Sequence, residues 1–413
     1  MDAFRDGATE FDVIVLGVGG MGAATCTELI RRGAKVLGLE QFSLAHDRGS
    51  SHGESRIIRK AYFEHPDYVP LLHRAYQQWD LLEQATGRKL FLPTGLVLSG
   101  SPAGETIQGA RLSAHQHGIP IENLTSAEAR RRFPGFVFPD DHDVVLEPGA
   151  GTLLVDDCVR ANLDLAVKLG ATIRGGEPVL DWSSNGTYVQ VRTAISTYRA
   201  KSLVITAGPW SQACLRGLGL PLQVVRKFVG WFPCQSEHLQ ERQGCPTYFF
   251  EFPYGTFYGF PSFDAKTVKV AEHSGGEVVA DPLTVDRHCH PRDLDRLQKF
   301  LKSHLPSVQT EVARHSVCLY TRTPDQHFVI DRHPQWSNVA IAAGFSGHGF
   351  KFCPVVGEAL ADLVQTGSTS LPIQFLAINR PSLNPPSVNL PGTDLDGNLL
   401  KNGDRVRPNP KTT

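Results

Sequence analysis

The chain has 413 residues, 41% of them hydrophobic, and its 41 basic and 42 acidic side chains leave a formal charge of −1. That length allows two domains with a core each. Charge balance excludes a nucleic-acid surface built on basic excess, and no apolar run reaches the length of a membrane span.

The N-terminal MDAFRDGATE is polar and lacks the apolar stretch of a secretory signal. Val13-Ile14-Val15-Leu16 then reads as a buried parallel strand. Gly17-x-Gly19-x-x-Gly22 follows, Ala24, Leu29 and Ile30 fit one helical face, and Gly33 suits the C-cap. A second apolar run, Val36 to Leu39, ends in Glu40. Strand, glycine turn, helix, strand and acid together form a dinucleotide-binding unit. Gly17 permits the tight turn, Gly19 lets backbone approach a pyrophosphate at the helix N-terminus, and Gly22 allows close helix–strand packing. Glu40 suits the two hydroxyls of an adenosine ribose and would repel a 2′-phosphate. The motif argues against NADP but does not separate NAD from FAD.

Gly49-Ser50-Ser51-His52-Gly53 is a loop of small residues suited to a phosphate or flavin edge. Arg56 and Arg59 would share a face on a helix, and the apolar residues around them imply partial burial and anionic partners. Leu72, Ala75, Tyr76, Trp79 and Leu82 mark an amphipathic helix ending near Gly87. From Leu90 to Val145 short β-like runs surround one helical piece near Ser126–Arg132. A second α/β block begins near Gly151, with Asp156 and Asp157 as caps of a helix whose face is Val159, Leu163, Ala166 and Val167. Ser202–Ala207 is another apolar strand running into a glycine turn at Gly208.

Residues 223–324 change character, and the sequence around Pro253-Tyr254-Gly255 predicts an antiparallel hairpin. Lys269 and His273 fall on the same face of an apolar strand, where a lysine is costly unless paired or used. The last block is again strand, glycine turn (Gly344, Gly347, Gly349) and helix, stopped by Gly367. From about Pro381 the composition predicts a disordered tail. Eight cysteines without a CxxC pair fit the cytoplasm, and the C-terminal Lys411-Thr412-Thr413 is not a peroxisomal address. No metal site is expected; His288-x-His290 beside Cys289 lacks a second ligand pair and reads as surface.

The segments SHGESRIIRKAY, FYGFPSF, VCLYTRTPDQHFVIDRHP and AAGFSGHGFKF resemble the monomeric sarcosine oxidases and N-methyl-tryptophan oxidases, FAD-dependent amine oxidases of the D-amino-acid-oxidase superfamily. The resemblance runs over about residues 10–380. It implies an α/β (α+β) fold with a Rossmann-like FAD domain of discontinuous segments (1–93, 151–222, 325–380). A substrate domain with a large, mostly antiparallel sheet would take 94–150 and 223–324, leaving 381–413 as tail.

By the same resemblance, FAD would be held by Gly17, Gly19, Gly20, Gly22, Glu40, Ser50, Ser51 and Gly208, and by Gly344, Gly347, His348 and Gly349. Cys318 of VCLYT, by itself readable as a buried inert cysteine, would carry the flavin through a thioether. Cys353 is treated as structural. Arg59 and Lys351 would hold a substrate carboxylate, with Arg56 and His52 near the flavin ring. Tyr258, His273 and Tyr320 would line the substrate cavity, and Lys269 would activate oxygen. The implied reaction oxidises a secondary amino acid such as sarcosine with O2, giving H2O2, an aldehyde and the demethylated amino acid, in a monomer. Phe249 stands where sarcosine-preferring members tend to have a smaller or more flexible residue, and VRKFVGW around Trp231 is closer to the N-methyl-tryptophan branch. The amine substituent is therefore open, with N-methyl-tryptophan and cyclic imino acids (pipecolate, proline) as alternatives. An FAD dehydrogenase with another acceptor, or a non-catalytic flavin-binding subunit, are the remaining readings.

Overall fold

A computed structural model describes residues 10–383. The strands Glu10–Leu16 and Val36–Leu39 pair in parallel, joined by the helix Gly20–Arg31. They belong to an eight-stranded sheet whose centre is the long strand Thr197–Ile205. That strand pairs Glu10–Leu16 along one edge. Its other edge is shared between Val189–Thr193, antiparallel, and Val339–Ala343, parallel. The central strands are apolar on both sides: helices Gly20–Arg31 and Cys353–Gln365 cover one face, and Leu215, Leu220 and Leu222 pack with Ile14, Leu37 and Leu203 on the other.

A second sheet has nine strands. Its pairings are antiparallel, apart from Thr247–Phe252 against Leu96–Gly100. Register carries one row of side chains across it: Leu98, Phe249, Tyr258, Ala271, Val229 and Ser316. Alternate residues on these strands, such as Phe250, Phe257, Val270 and Phe232, pack on the opposite face with Leu297, Phe300 and Leu301 of the helix Pro291–His304. The hairpin at Pro253-Tyr254-Gly255 forms as expected. A small third sheet joins Ser55–Ile58, Gly151–Leu154 and Phe91–Leu92.

Five expectations are corrected. Ser55–Ile58 is a strand with Arg59 just past its end, so the two guanidinium groups do not share a helical face. A helix, Glu105–His117, occupies the run expected to be mainly β. Its buried face contains Thr106, Ser113 and small Ala110 beside Ile107, which blurs the apolar period. The helix Val155–Lys168 is capped at Leu154, and Asp156 instead accepts the Glu54 N–H at 2.6 Å. Val167 is exposed and is not part of that helix's buried face. Of the expected tail, Pro381–Leu383 forms a short turn with Leu383 buried and Ser382 hydrogen-bonded to Asp325. The rest of it lies outside the described residues. His288 and His290 both bind Asp286, at 2.8 and 2.6 Å. Among the described residues no helix is long and apolar enough to cross a membrane.

Candidate active site

The glycine turn is built as the spacing requires. Gly17 has φ +85°, and a Cβ there would sit 2.7 Å from the Thr206 carbonyl oxygen. A Cβ on Gly22 would fall 1.9 Å from the Gly17 carbonyl oxygen, so only glycine lets the helix approach the strand. Gly19 has no atom within 4 Å of its missing Cβ and offers no side-chain cap to the helix behind it. The Gly20 N–H at its start donates to Ser51 Oγ at 3.3 Å, and no N-cap side chain competes with an anionic group at this helix N-terminus. Glu40 is buried and accepts the Val18 and Phe42 N–H groups at 3.2 and 3.1 Å, with His46 Nε2 at 3.3 Å.

A cavity of about 360 Å³ starts at these groups. It passes Ser50, Ser51, Gly208 and the Gly344, Gly347 and Gly349 turn, and ends among Arg56, Arg59, Tyr258, His273, Tyr320, His348 and Lys351. Gly22, His52, Cys318 and Lys269 do not line it. The outcome is a continuous slot with a glycine-rich, helix-capped end and an aromatic, cationic end. Glu64, Phe63, Glu177, Trp210 and Phe345 also line it and were not singled out from the sequence.

Cys318 is buried opposite Lys227 in the register of its strand. Arg56 donates to the Ser55 and Ser50 carbonyls at 2.8 Å each and reaches Cys318 Sγ at 3.4 Å. His52 Nδ1 lies 4.0 Å from the same sulfur. Burial pushes the thiol up, but His52, Arg56 and Lys269 outweigh it and hold Cys318 at about 6. At Cys353 burial outweighs the Lys351 and Arg56 charges, and the thiol is pushed above its ordinary value. Of these two thiols, Cys318 is the one set up to react as a thiolate.

Arg59 and Lys351 come together around one ring. The Arg59 guanidinium lies 4.3 Å from the Tyr62 centroid and Lys351 Nζ lies 5.2 Å from it. Arg59 also lies over Phe63 at 3.9 Å. Glu64 Oε2 accepts from Arg59 at 2.5 Å, and Lys351 Nζ donates to the His348 carbonyl at 2.7 Å. Burial would raise Glu64, but Arg59, His348 and Lys351 hold its carboxyl down at about 2. Burial, then the Arg59 charge, push Lys351 down to about 7 and burial takes His348 to about 4. The arginine segment is itself anchored: Glu147, buried at the end of Asp143–Glu147, accepts the Lys60 and Ala61 N–H groups at 2.7 and 2.9 Å.

Lys269 is placed opposite Trp231. Its Nζ donates to the Gly53 carbonyl, the Ser55 carbonyl and Ser55 Oγ at 2.6, 2.8 and 3.0 Å, one acceptor for each ammonium proton. Burial, then the Arg56 charge, push it well below the ordinary lysine value. His273, at the end of the same strand, reaches the Tyr320 hydroxyl at 3.4 Å and packs edge-on to Phe249. Burial, then Lys227, push His273 down to about 3, so its ring is neutral. Burial raises both Tyr258 and Tyr320, keeping their hydroxyls protonated.

Residues 12–363 match the family described as FAD dependent oxidoreductase. The chain belongs to that family. It is 40% identical over 380 residues to a monomeric sarcosine oxidase of Arthrobacter sp. (strain TE1826), covering 91% of this chain and 97% of the relative. It is 33% identical over 375 residues to an N-methyl-L-tryptophan oxidase of Yersinia pestis (strain Pestoides F), covering 90% and 99%. Among solved structures, NikD, an unusual amino acid oxidase essential for nikkomycin biosynthesis, superposes with TM-score 0.79 at 28% identity, covering 89% of this chain and 97% of that one. In an FAD dependent oxidoreductase the slot has a direct meaning. The glycine turn, the helix N-terminus and Glu40 suit the dinucleotide part of FAD, and the rest of the same slot is open to the flavin.

Proposed function

We propose that this protein is an FAD-dependent oxidase of N-methyl amino acids such as sarcosine, using O2 and releasing H2O2, an aldehyde and the demethylated amino acid. The observation that carries the reading is the convergence of Arg59 and Lys351 on the Tyr62 ring at the cavity wall. Two cations in an apolar pocket favour an anion beside them, and Glu64 already bonds one of them. A substrate carboxylate is the matching small-molecule group, held in two parallel bonds by arginine. Bound FAD supplies the redox chemistry, accepting a hydride equivalent from the carbon next to nitrogen and passing the electrons to oxygen. Arg59 and Lys351 orient the substrate so that its N-methyl group meets the cofactor. Tyr258, Tyr320 and neutral His273 shape the wall around the amine, and Lys269 supplies a fixed charge for oxygen. The Phe63–Phe249 pair, with ring centroids 5.2 Å apart, favours N-methyl-tryptophan as a second reading of the amine substituent.

The two large sheets support an FAD domain over 1–93, 151–222 and 325–380 and a substrate domain over 94–150 and 223–324. We place the enzyme in the cytoplasm as a monomer, which suits buried thiols such as Cys26, Cys158 and Cys353. Adding sarcosine, N-methyl-tryptophan or pipecolate to the flavoprotein without air should bleach the flavin, and turnover in air should yield peroxide. Bleaching without peroxide would point to a dehydrogenase, and no bleaching with any amino acid would refute the reading.

We assign flavin attachment to Cys318 from the VCLYT resemblance, and the approach of Arg56 and His52 to its sulfur supports the reading. Acid-precipitated protein should stay yellow, and Cys318→Ala should release the colour into the supernatant. Free flavin from the wild type would sink the assignment.

Lys351 is charged below about pH 7 and neutral above it when no ligand is bound. A redox-inert carboxylate ligand should therefore bind with constant affinity below that pH and progressively more weakly above it. Titration of the flavin absorbance from pH 6 to 9 reads this directly, and Lys351→Met should flatten the profile. A profile that keeps its slope in the variant would exclude Lys351 as its source.

A further inference from the structure

Lys227 lies in the strand Gln223–Pro233 with 4% of its surface exposed. It shares the cavity-facing side of the large sheet with Cys318, directly opposite in register, yet stands behind the cavity wall. Its Nζ donates to the carbonyls of His273, Ser274 and Gly275, at 3.2, 2.5 and 3.4 Å. Three consecutive carbonyls on one ammonium fix the turn that carries His273. The turn also rests on the lysine stem: a Cβ on Gly276 would lie 2.4 Å from Val225 Cγ1 and 3.0 Å from Lys227 Cδ. The same Nζ sits 5.4 Å from the Tyr320 ring centroid, and the Tyr320 hydroxyl meets His273 Nδ1 at 3.4 Å.

Other charges around this turn already have partners. Arg322 donates to the Gly275 carbonyl at 2.7 Å, and Glu272 accepts from Ser274 at 2.7 Å and from Arg296 at 3.0 Å. Lys227 itself has only neutral acceptors, and burial pushes it down to about 7. A buried cation without a bonded carboxylate is costly, and a methionine would fill much the same space without that cost. Its retention calls for something an apolar side chain cannot do.

We propose that Lys227 is a positioning residue of the active site. By clamping the His273–Gly275 turn beside Tyr320, it sets the His273–Tyr320 pair on the cavity wall and so governs how substrate fits. The proposal rests on the reading of that wall as the substrate site, and Lys227 acts through His273 without touching substrate.

The test is a double-mutant cycle of Lys227→Met and Lys227→Gln with His273→Ala, followed by kcat, KM and flavin content. Lys227→Met should lower kcat/KM for the best amino-acid substrate by about tenfold or more, mainly through KM, with flavin content unchanged. In the His273→Ala background the same change should cost less than about twofold, because its route to the substrate is gone. Lys227→Gln, which keeps a donor, should lie between. Equal losses in both backgrounds, or wild-type kinetics in Lys227→Met, would overturn the proposal. If Lys227→Met does not fold, Lys227→Gln carries the comparison; failure of both to give folded flavoprotein would assign Lys227 to folding and overturn it as well. A wild type that oxidises no amino acid is a separate result, and it refutes the substrate reading itself.

Discussion

Replacing Arg59 with alanine is expected to lower kcat/KM for sarcosine by about 30- to several-thousand-fold, the range set by roughly 2–5 kcal/mol for removing one partner of a buried charge pair. Arg59 is 4% exposed, bonded to Glu64 at 2.5 Å and stacked near Phe63 and Tyr62. On the proposed reading its loss removes the donor for the substrate carboxylate, and it leaves Glu64 facing the cavity with its closest counter-charge gone. The remaining carboxylate would then repel the substrate's own. Lys351→Ala should fall in the same range, because it removes the second cation near the Tyr62 ring. Dimethylamine keeps the reacting N-methyl group and lacks the carboxylate. It should be a very poor substrate of the wild type and lose little more in either variant. Efficient wild-type oxidation of dimethylamine would remove the basis for the amino-acid substrate class.

Lys269→Met should slow reoxidation of the reduced flavin by about 100-fold or more, equivalent to about 2.7 kcal/mol in the barrier. Reaction with oxygen begins by forming superoxide, and a fixed positive charge in a poorly hydrated site stabilises that anion. Burial disfavours the charge on Lys269, and three oxygens from Gly53 and Ser55, which take the three ammonium protons, act against it by favouring the charged form and holding it still beside Phe260 and Trp231, 4.7 and 5.6 Å from their centroids. Methionine matches the stem and removes the charge. Anaerobic reduction of the flavin by substrate should change much less. Stopped-flow traces with both half-reactions slowed equally would show that Lys269 serves some other purpose.

The dinucleotide end was legible in the sequence because local rules govern it. A glycine that must take φ +85°, or that meets a carbonyl within 1.9 Å of its absent Cβ, leaves a signature at fixed spacing. The hairpin at Gly255 and the helix Val69–Thr86 were legible for the same reason. Glu64 was not. It lies near Arg59 in sequence, but its role depends on Lys351 and His348, which arrive from a loop almost three hundred residues later. The helix Glu105–His117 was hidden by contacts that favour small residues, since a Cβ on its Gly109 would lie 2.3 Å from the Phe63 carbonyl oxygen. Lys227 carried no local signal either. Its meaning comes from the cross-strand register that sets it against Cys318 and from a turn some forty residues away.

The strand Thr197–Ile205 has a consequence for how the protein is made. The Leu203–Ile205 half of its outer edge is closed only by Val339–Ala343. A nascent chain that has not yet extended past that segment carries this apolar edge unpaired, open to pairing with another chain. The helix Cys353–Gln365, which covers the same sheet beside Gly20–Arg31, leaves the ribosome later still. The sheet that receives the dinucleotide therefore cannot close during most of synthesis, although its glycine turn emerges first. Cofactor loading is expected to wait for Val339–Ala343, and chains truncated before about residue 340 should be insoluble on expression rather than merely apo.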